Sequence, residues 1–426
     1  MKNIKTGLLV FLAAGCLSTT QVFSQEQPDS SRVEQGFKKY RFGGYGEILY
    51  QNMDYGADRY NYSNGAQPDN RSLIGLPRAV FSFDYKFRND LIFSTELEFE
   101  HGGTGSAMEL EYEEAGEYEM EVEKAGEVVL EQLHFTKIFR PWLKVRVGHM
   151  IVPVGQTNAR HESILYFGTS RPESETSIIP LTWHETGISI LGNYRRWSYQ
   201  LMLVNGLDAN GFTSAYWVRE GKQGIFEEVK MTDPATVVRI ENTSFRHLRL
   251  SASAYLGNST GNTSKSSDMK KYDGRVGIIS GDFEFNNRKL IVRGNIISGD
   301  LSDSYQISAI NKTLSKNIQY SRTPVAKNAL AYGAEAGYSF RLGNSGERII
   351  PFARYEYYNS MEKMASGMHA DERFKRDIFT FGLNYYILPS LAIKADYAHR
   401  RIGSGNYNNE NTLGLALVYT GWMLQK

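Results

Sequence analysis

The sequence predicts an all-β fold, a transmembrane antiparallel β-barrel of about sixteen strands built as one continuous domain. Three observations carry that expectation. Stretches of period-two sequence are separated by gaps that alternate between two or three residues and ten to thirty, as a barrel with one tight-turn rim and one long-loop rim requires. The chain of 426 residues holds 27 Tyr, 22 Phe and 40 Gly but only 11 Pro, a composition that suits a pleated surface. After the first 24 residues, no apolar run approaches the roughly 20 residues that a membrane-spanning helix needs.

The strands are expected near Tyr40, Arg78, Leu91, Val128, Leu143, Gly187, Trp197, Val237, Leu248, Arg275, Leu290, Tyr332, Ile349, Phe379, Leu391 and Leu413. Arg78 to Arg88 shows the pattern plainly. Ala79, Phe81, Phe83, Tyr85 and Phe87 fall on one face, whereas Arg78, Ser82, Asp84, Lys86 and Arg88 fall on the other. Leu91 to Glu100 repeats it, and only Asn89-Asp90 lies between, so the two read as a hairpin. Further short turns are expected at Arg140-Pro141, Tyr194 to Arg196, Arg246-His247, Asn286 to Arg288, Gly343 to Gly346 and Leu388 to Ser390. Tyr40, Trp142, Trp197, Tyr385, Tyr386 and Trp422 sit beside these turns or the terminus, where an interfacial aromatic girdle would form. Long loops are expected near Gln51 to Leu76, His101 to Glu127, Val152 to His184, Gly206 to Ala235, Asn258 to Lys271, Gly299 to Asn328, Ser360 to Arg376 and Ile402 to Asn411.

Residues 1–24 read as a signal peptide, with Lys2 and Lys5, an apolar stretch from Gly7 to Ala14, and small Ser24 before the cut. Residues 25–426 form the barrel domain. Cleavage removes two of the 48 basic residues and none of the 47 acidic ones, a net of about −1, which points to no nucleic-acid partner. Cys16, the only cysteine, lies in this leader; Leu12 to Cys16 is also readable as a lipidation site, but Ala13 stands where a large aliphatic residue is usual. Mean hydropathy of −0.42 is compatible with a large barrel, whose bore and loops face water.

Strand number sets what such a barrel can do. About eight strands are filled by their own side chains, about sixteen leave an aqueous channel, and a plugged transporter needs about 22. The third long loop, Gln156 to Trp183, carries Ile164, Leu165, Tyr166, Phe167, Ile178, Ile179 and Leu181, which external water would not favour. It is expected to fold inward and narrow the bore, with Arg160, His161 and Arg171 as constriction and anion-binding residues. Parity sends Arg78, Lys144, Arg146, Arg239, Arg249, Arg293, Arg354 and Lys394 to the interior as pore-lining cations, together with Asp84, Glu96, Glu98, Glu241, Asp282, Glu284, Glu335, Glu356 and Asp396. Most of these charges are expected to pair and stiffen the wall.

Other chemistry is weakly signalled. Eight glutamates between Glu109 and Glu123 form an acidic stretch around Ala115-Gly116, read as a solvated hairpin ahead of a divalent-cation site because no compact Asp-rich loop is present. His161 and His184 lack metal-ligand spacing, so no metal is expected. No phosphate cradle or nucleophile elbow appears, so no enzyme, catalytic residue or cofactor is expected.

The leader, the alternating strands and "VRVGHMIVPVG" from Val145 to Gly155, running into a long third loop, resemble the phosphate-selective porin O and P family of Gram-negative outer membranes. The resemblance spans nearly the whole mature chain. It implies an outer-membrane porin, a homotrimer with one pore per subunit surrounded by lipid and lipopolysaccharide, and passive diffusion of small polar solutes with a preference for anions such as phosphate. The lysine-rich cluster tied to phosphate binding has no counterpart on this loop, where only Arg160 and Arg171 correspond. A barrel-anchored surface binding or adhesion protein is the alternative reading.

Overall fold

The computed structural model describes residues 37–56, 69–103, 127–223, 229–263, 268–314, 324–343 and 346–426. The expected leader with Cys16 and the acidic stretch from Glu109 to Glu123 lie outside them.

Seventeen strands form a single antiparallel sheet: β1 (Tyr40–Met53), β2 (Arg71–Arg88), β3 (Leu91–Glu100), β4 (Val128–Arg140), β5 (Leu143–Ile151), β6 (His184–Tyr194), β7 (Trp197–Asn205), β8 (Pro234–Asn242), β9 (Leu248–Asn258), β10 (Arg275–Asn286), β11 (Leu290–Leu301), β12 (Asn328–Tyr338), β13 (Phe340–Leu342), β14 (Glu347–Lys363), β15 (Lys375–Leu388), β16 (Leu391–Ile402) and β17 (Glu410–Gln425). β12 and β13 both pair with β14 and are interrupted only at Ser339, so they make one stave and the wall has sixteen. Each strand pairs with its sequence neighbour. β17 returns to β1, with Arg41 opposite Gln425 and Met53 opposite Thr412, which closes the barrel and leaves no open sheet edge.

The alternation read from sequence sets the two faces. Phe81, Phe87, Val147, Leu250 and Phe381 project outward and are exposed, while Asp84, Glu98, Lys144, Arg146 and Ser251 are buried inside. A coat of exposed large apolar side chains around a closed barrel is a lipid-facing surface. Trp142, Trp197 and Tyr194 are exposed beside the short turns, as a girdle requires. Tyr386 departs from that expectation. It is buried, its hydroxyl donates to the Ile164 carbonyl at 3.4 Å, and adjacent Tyr385 takes the opposite face because neighbouring strand residues cannot share one.

The short turns that lie wholly within the described residues fall where expected. Arg195 (φ 57°), His247 (φ 62°) and Arg288 (φ 74°) adopt the left-handed conformation that tight hairpins need, although none is glycine. Strands run further into the long-loop rim than the alternation suggested. β2 begins at Arg71 and not near Leu76, β14 reaches Lys363, and β17 starts at Glu410. β2 before Arg78 pairs with β1 alone, since β3 ends opposite Arg78, so this hairpin overhangs the rim.

The interior also differs from a uniformly polar bore. On the arc from β7 to β12, inward residues near the long-loop rim are apolar: Met202, Val204, Val237, Tyr255, Val276, Ile278 and Ile297 are buried. The segment after β7 folds in to cover them, bringing Leu207, Phe212, Trp217 and Val218 into the same cluster. The helix Ser304–Leu314 in the loop between β11 and β12 adds Ile307. Gly299 is required there, because a Cβ at that position would lie 2.0 Å from the Trp217 ring.

Candidate functional site

The bore is organised by the segment between β5 and β6. At its neck the Val152 amide donates to the Trp183 carbonyl at 2.7 Å, so both ends leave the wall together. Gly155 makes the inward bend with φ of 82°, a conformation that side-chain-bearing residues rarely adopt. Ile164, Tyr166, Phe167, Ile178 and Ile179 are then buried, while Leu181 stays 38% exposed.

The segment is hydrogen-bonded to strands spread around the whole ring. From β8, Arg239 donates to the carbonyls of Pro153 and Gly155, both at 3.4 Å. On the opposite side, the Ser163 hydroxyl donates to Glu47 of β1 at 2.5 Å and Thr420 of β17 donates to Glu162. Lys394 of β16, fully buried, donates its ammonium to the carbonyls of Ser163, Tyr166 and Gly168. The amide and hydroxyl of Thr169 donate to Asp396 at 2.6 and 3.0 Å, and those of Ser174 to Glu356 at 2.9 and 3.0 Å. Arg400 donates to Glu173 at 2.6 Å. β8 and β17 stand half a turn apart among sixteen staves, so residues 152–183 cross the interior.

Inside the segment, the amide and hydroxyl of Thr157 both donate to Glu175. Burial pushes the Glu175 carboxyl up to about 7, against the pull of the Thr157 hydrogen bonds. Burial likewise raises Glu162 and takes the Tyr166 phenol to about 12.

Two adjoining cavities flank the segment. One is lined by Arg160, Glu175, Arg293, Asn295, Glu335 and Arg354 among others. The second reaches towards the short-turn rim at Asn286, Arg348 and Pro389. Leu165, Glu284 and Arg293 line both.

The expected pore-lining cations lie in the interior, and most are paired. Arg78 bonds Glu98 and Glu131, Arg239 bonds Asp282 and Glu241, Arg249 bonds Glu284, Arg293 bonds Glu335, and Arg354 bonds Glu356. Arg146 donates to Thr136 at 3.1 Å, and Lys144 is buried beside it on β5. Arg160, on the β8–β10 side, contacts Glu241 at 3.5 Å and Glu284 at 4.0 Å. Arg171 donates to the Thr182 hydroxyl at 2.7 Å and forms no ion pair among the described residues. His161 lies apart from both, against Glu131 at 3.6 Å. Sequence reasoning missed Glu131, which parity with exposed Leu133 and Phe135 would turn outward. A bulge between Glu96/Gln132 and Leu97/Leu130 makes it the extra residue and turns it in, fully buried. It also missed the buried Arg376–Glu410 pair, at 2.6 Å.

No family model matches the chain. An uncharacterized protein of Aquifex aeolicus (strain VF5) is 27% identical over 374 residues, covering 87% of this chain and 78% of that protein. Among solved structures, OmpF of Salmonella typhi in complex with daunomycin superposes with a TM-score of 0.55 at 11% identity, covering 89% of this chain and 97% of that one. The outer membrane channel DcaP of Acinetobacter baumannii gives 0.51 at 9% identity, over 90% and 97%. A loop L8 deletion mutant of OmpT, an outer membrane protein of Vibrio cholerae, gives 0.50 at 10% identity, over 90% and 100%. At these identities the likeness is one of fold. The chain is a closed sixteen-stave barrel whose fold resembles that of these outer-membrane porins.

Proposed function

We propose that this protein is a non-enzymatic diffusion porin whose bore is constricted by residues 152–183. The observation that carries the reading is the anchoring of that segment to strands on opposite sides of the ring, by Arg239 on one and Lys394 and Asp396 on the other. Small hydrophilic solutes would pass the cavities beside it, and the exposed apolar coat would face lipid and lipopolysaccharide. The reading includes removal of residues 1–24 as a leader.

A preference for anions such as phosphate is the finer part of the proposal. Its support is that Arg160 lines one of the two cavities and that Arg171 donates to a neutral hydroxyl and not to a carboxylate. His161 faces carboxylates and is left out of that set. Membership of the phosphate-selective O and P family rests on Val145 to Gly155, which here forms the end of β5 and the neck of the inward segment. Assembly as a homotrimer is proposed with Ile74 and Leu76, exposed on the overhanging hairpin, as subunit contacts.

Reconstitution in planar bilayers tests the reading. Stepwise conductance is expected, with a reversal potential in a salt gradient that shifts away from anions when Arg160 and Arg171 are both changed to alanine. Absence of conductance would favour a barrel that only anchors binding loops, and an unchanged reversal potential would remove the two arginines from the anion path.

A further inference from the structure

We infer that Glu96, Glu131 and His161 form a binding site for a divalent, zinc-type cation that ties the inward segment to the wall. This goes beyond the channel reading, and the ion site itself stands independently of it.

The three residues come from β3, the β4 bulge and the segment 152–183, which is why no spacing in the sequence announced them. One ligand atom from each lies within 4.8 Å of the other two, and all three side chains are buried. Glu98 lies beside them, and Arg78, bonded to both Glu98 and Glu131, is the one guanidinium that the ion pairs place there. Three carboxylates share that one guanidinium, where burial makes unmatched negative charge costly. Glu96 makes no ion pair among the described residues; it accepts hydrogen bonds from the neutral donors Ser82 and Gln132.

The histidine supplies the second observation. Its Nδ1 lies 3.3 Å from the Asn158 carbonyl, which can only accept, so Nδ1 carries the proton and a neutral ring has its lone pair on Nε2. His161 is 6% exposed, and Nε2 has no hydrogen-bond partner. It faces Glu131 Oε2 at 3.6 Å, a gap too long for a shared proton, so the lone pair of the neutral ring has no donor there. With bonds of about 2.0–2.1 Å, two ligands of one tetrahedral zinc lie about 3.4 Å apart. The backbone bond on the far ring nitrogen is the outer-shell contact that metal-ligating histidines commonly make. Buried so deeply, the ion would be held and not passed, clamping the segment on the β3–β4 side while Arg239 and Lys394 hold it elsewhere.

The test uses the full refolded chain in detergent, stripped with a chelator and titrated with Zn²⁺ alone. One Zn²⁺ per chain is expected, with affinity at least tenfold weaker in both His161→Ala and Glu96→Gln. No stoichiometric uptake by the wild type, or equal uptake by both variants, would overturn the site. X-ray absorption on the wild-type zinc form gives a readout independent of variant folding. One imidazole nitrogen among oxygen ligands is expected, and a spectrum without imidazole would assign the ion to other carboxylates and overturn the proposal. Because these measurements need no conductance, failure of the ion site and failure of the channel reading are separately visible.

Discussion

Replacing Lys394 with methionine tests whether the inward segment is held as the structure indicates. The ammonium donates to three carbonyls of that segment, those of Ser163, Tyr166 and Gly168, from a fully buried position on β16. Hydrogen bonds to a charged group contribute about 1.5–3 kcal/mol each, so three amount to roughly 5–9 kcal/mol gross. Burying an ammonium costs several kcal/mol, and methionine, of similar shape, recovers that term. A net loosening of about 2–4 kcal/mol remains, and each 1.4 kcal/mol is tenfold, so the docked-to-released ratio falls by about 30- to 1000-fold. Single-channel recording in planar bilayers is the assay. Lys394→Met is expected to show larger mean conductance with added flicker between levels. A correctly folded variant with wild-type conductance and wild-type noise would refute the anchoring role.

Three further outcomes are expected. The Glu175 carboxyl sits at about 7 against an ordinary 4.5, so the docked segment keeps its proton where the released one has lost it, and docking weakens as pH rises from 4.5 to 7. The shift corresponds to about 3 kcal/mol, flat above pH 7; channel noise should rise through that window, and Glu175→Gln should shrink the dependence to the part that buried Glu162 carries. Trp217, fully buried with its indole N–H donating to the Ala326 carbonyl at 3.1 Å, fills the apolar cluster, so Trp217→Ala should cost about 3–5 kcal/mol and open residues 206–223 to limited proteolysis; equal protection would refute the packing. Phe381, 58% exposed on β15, should tolerate leucine but lose about 2–4 kcal/mol as arginine if it meets hydrocarbon, measured by denaturant titration in liposomes; no loss would mean that this face is not in lipid.

How much of this was legible in the sequence follows from what period-two reading can and cannot resolve. Where one face is apolar and the other charged, as in Arg78 to Arg88, strand, face and turn are all visible, and Phe81 and Asp84 fall as read. The apolar content of residues 164–179 likewise signals burial. The reading fails where the two-residue period is broken or carries no contrast. Glu131 is turned inward by a bulge, which no alternation marks. Tyr385 and Tyr386 look alike by composition, yet only one can face out. Along β8 and β10 the inward residues Val237 and Ile278 are as apolar as outward ones, so only the residues of a distant loop, Phe212 and Trp217, show what covers them. The grouping of Glu96, Glu131 and His161 was invisible for a related reason, since the closed ring and an inward loop bring together elements whose sequence separation is unconstrained.

The distribution of contact lengths then decides which charges are free to meet a solute. Arg239, Arg249 and Arg354 hold carboxylates at 2.8–3.1 Å, and such bonds within a low-dielectric wall are stiff. A passing anion would have to displace a carboxylate and leave it buried without its partner, at a cost of several kcal/mol that brief occupancy cannot offset. Arg171 escapes this constraint, because its partner is the Thr182 hydroxyl. On the channel reading, the paired cations therefore shape the bore. Selectivity would then fall to the guanidinium groups of the one segment whose position Lys394, Glu175 and the proposed ion site would control. Ion preference and pore width should accordingly change together when that segment is loosened.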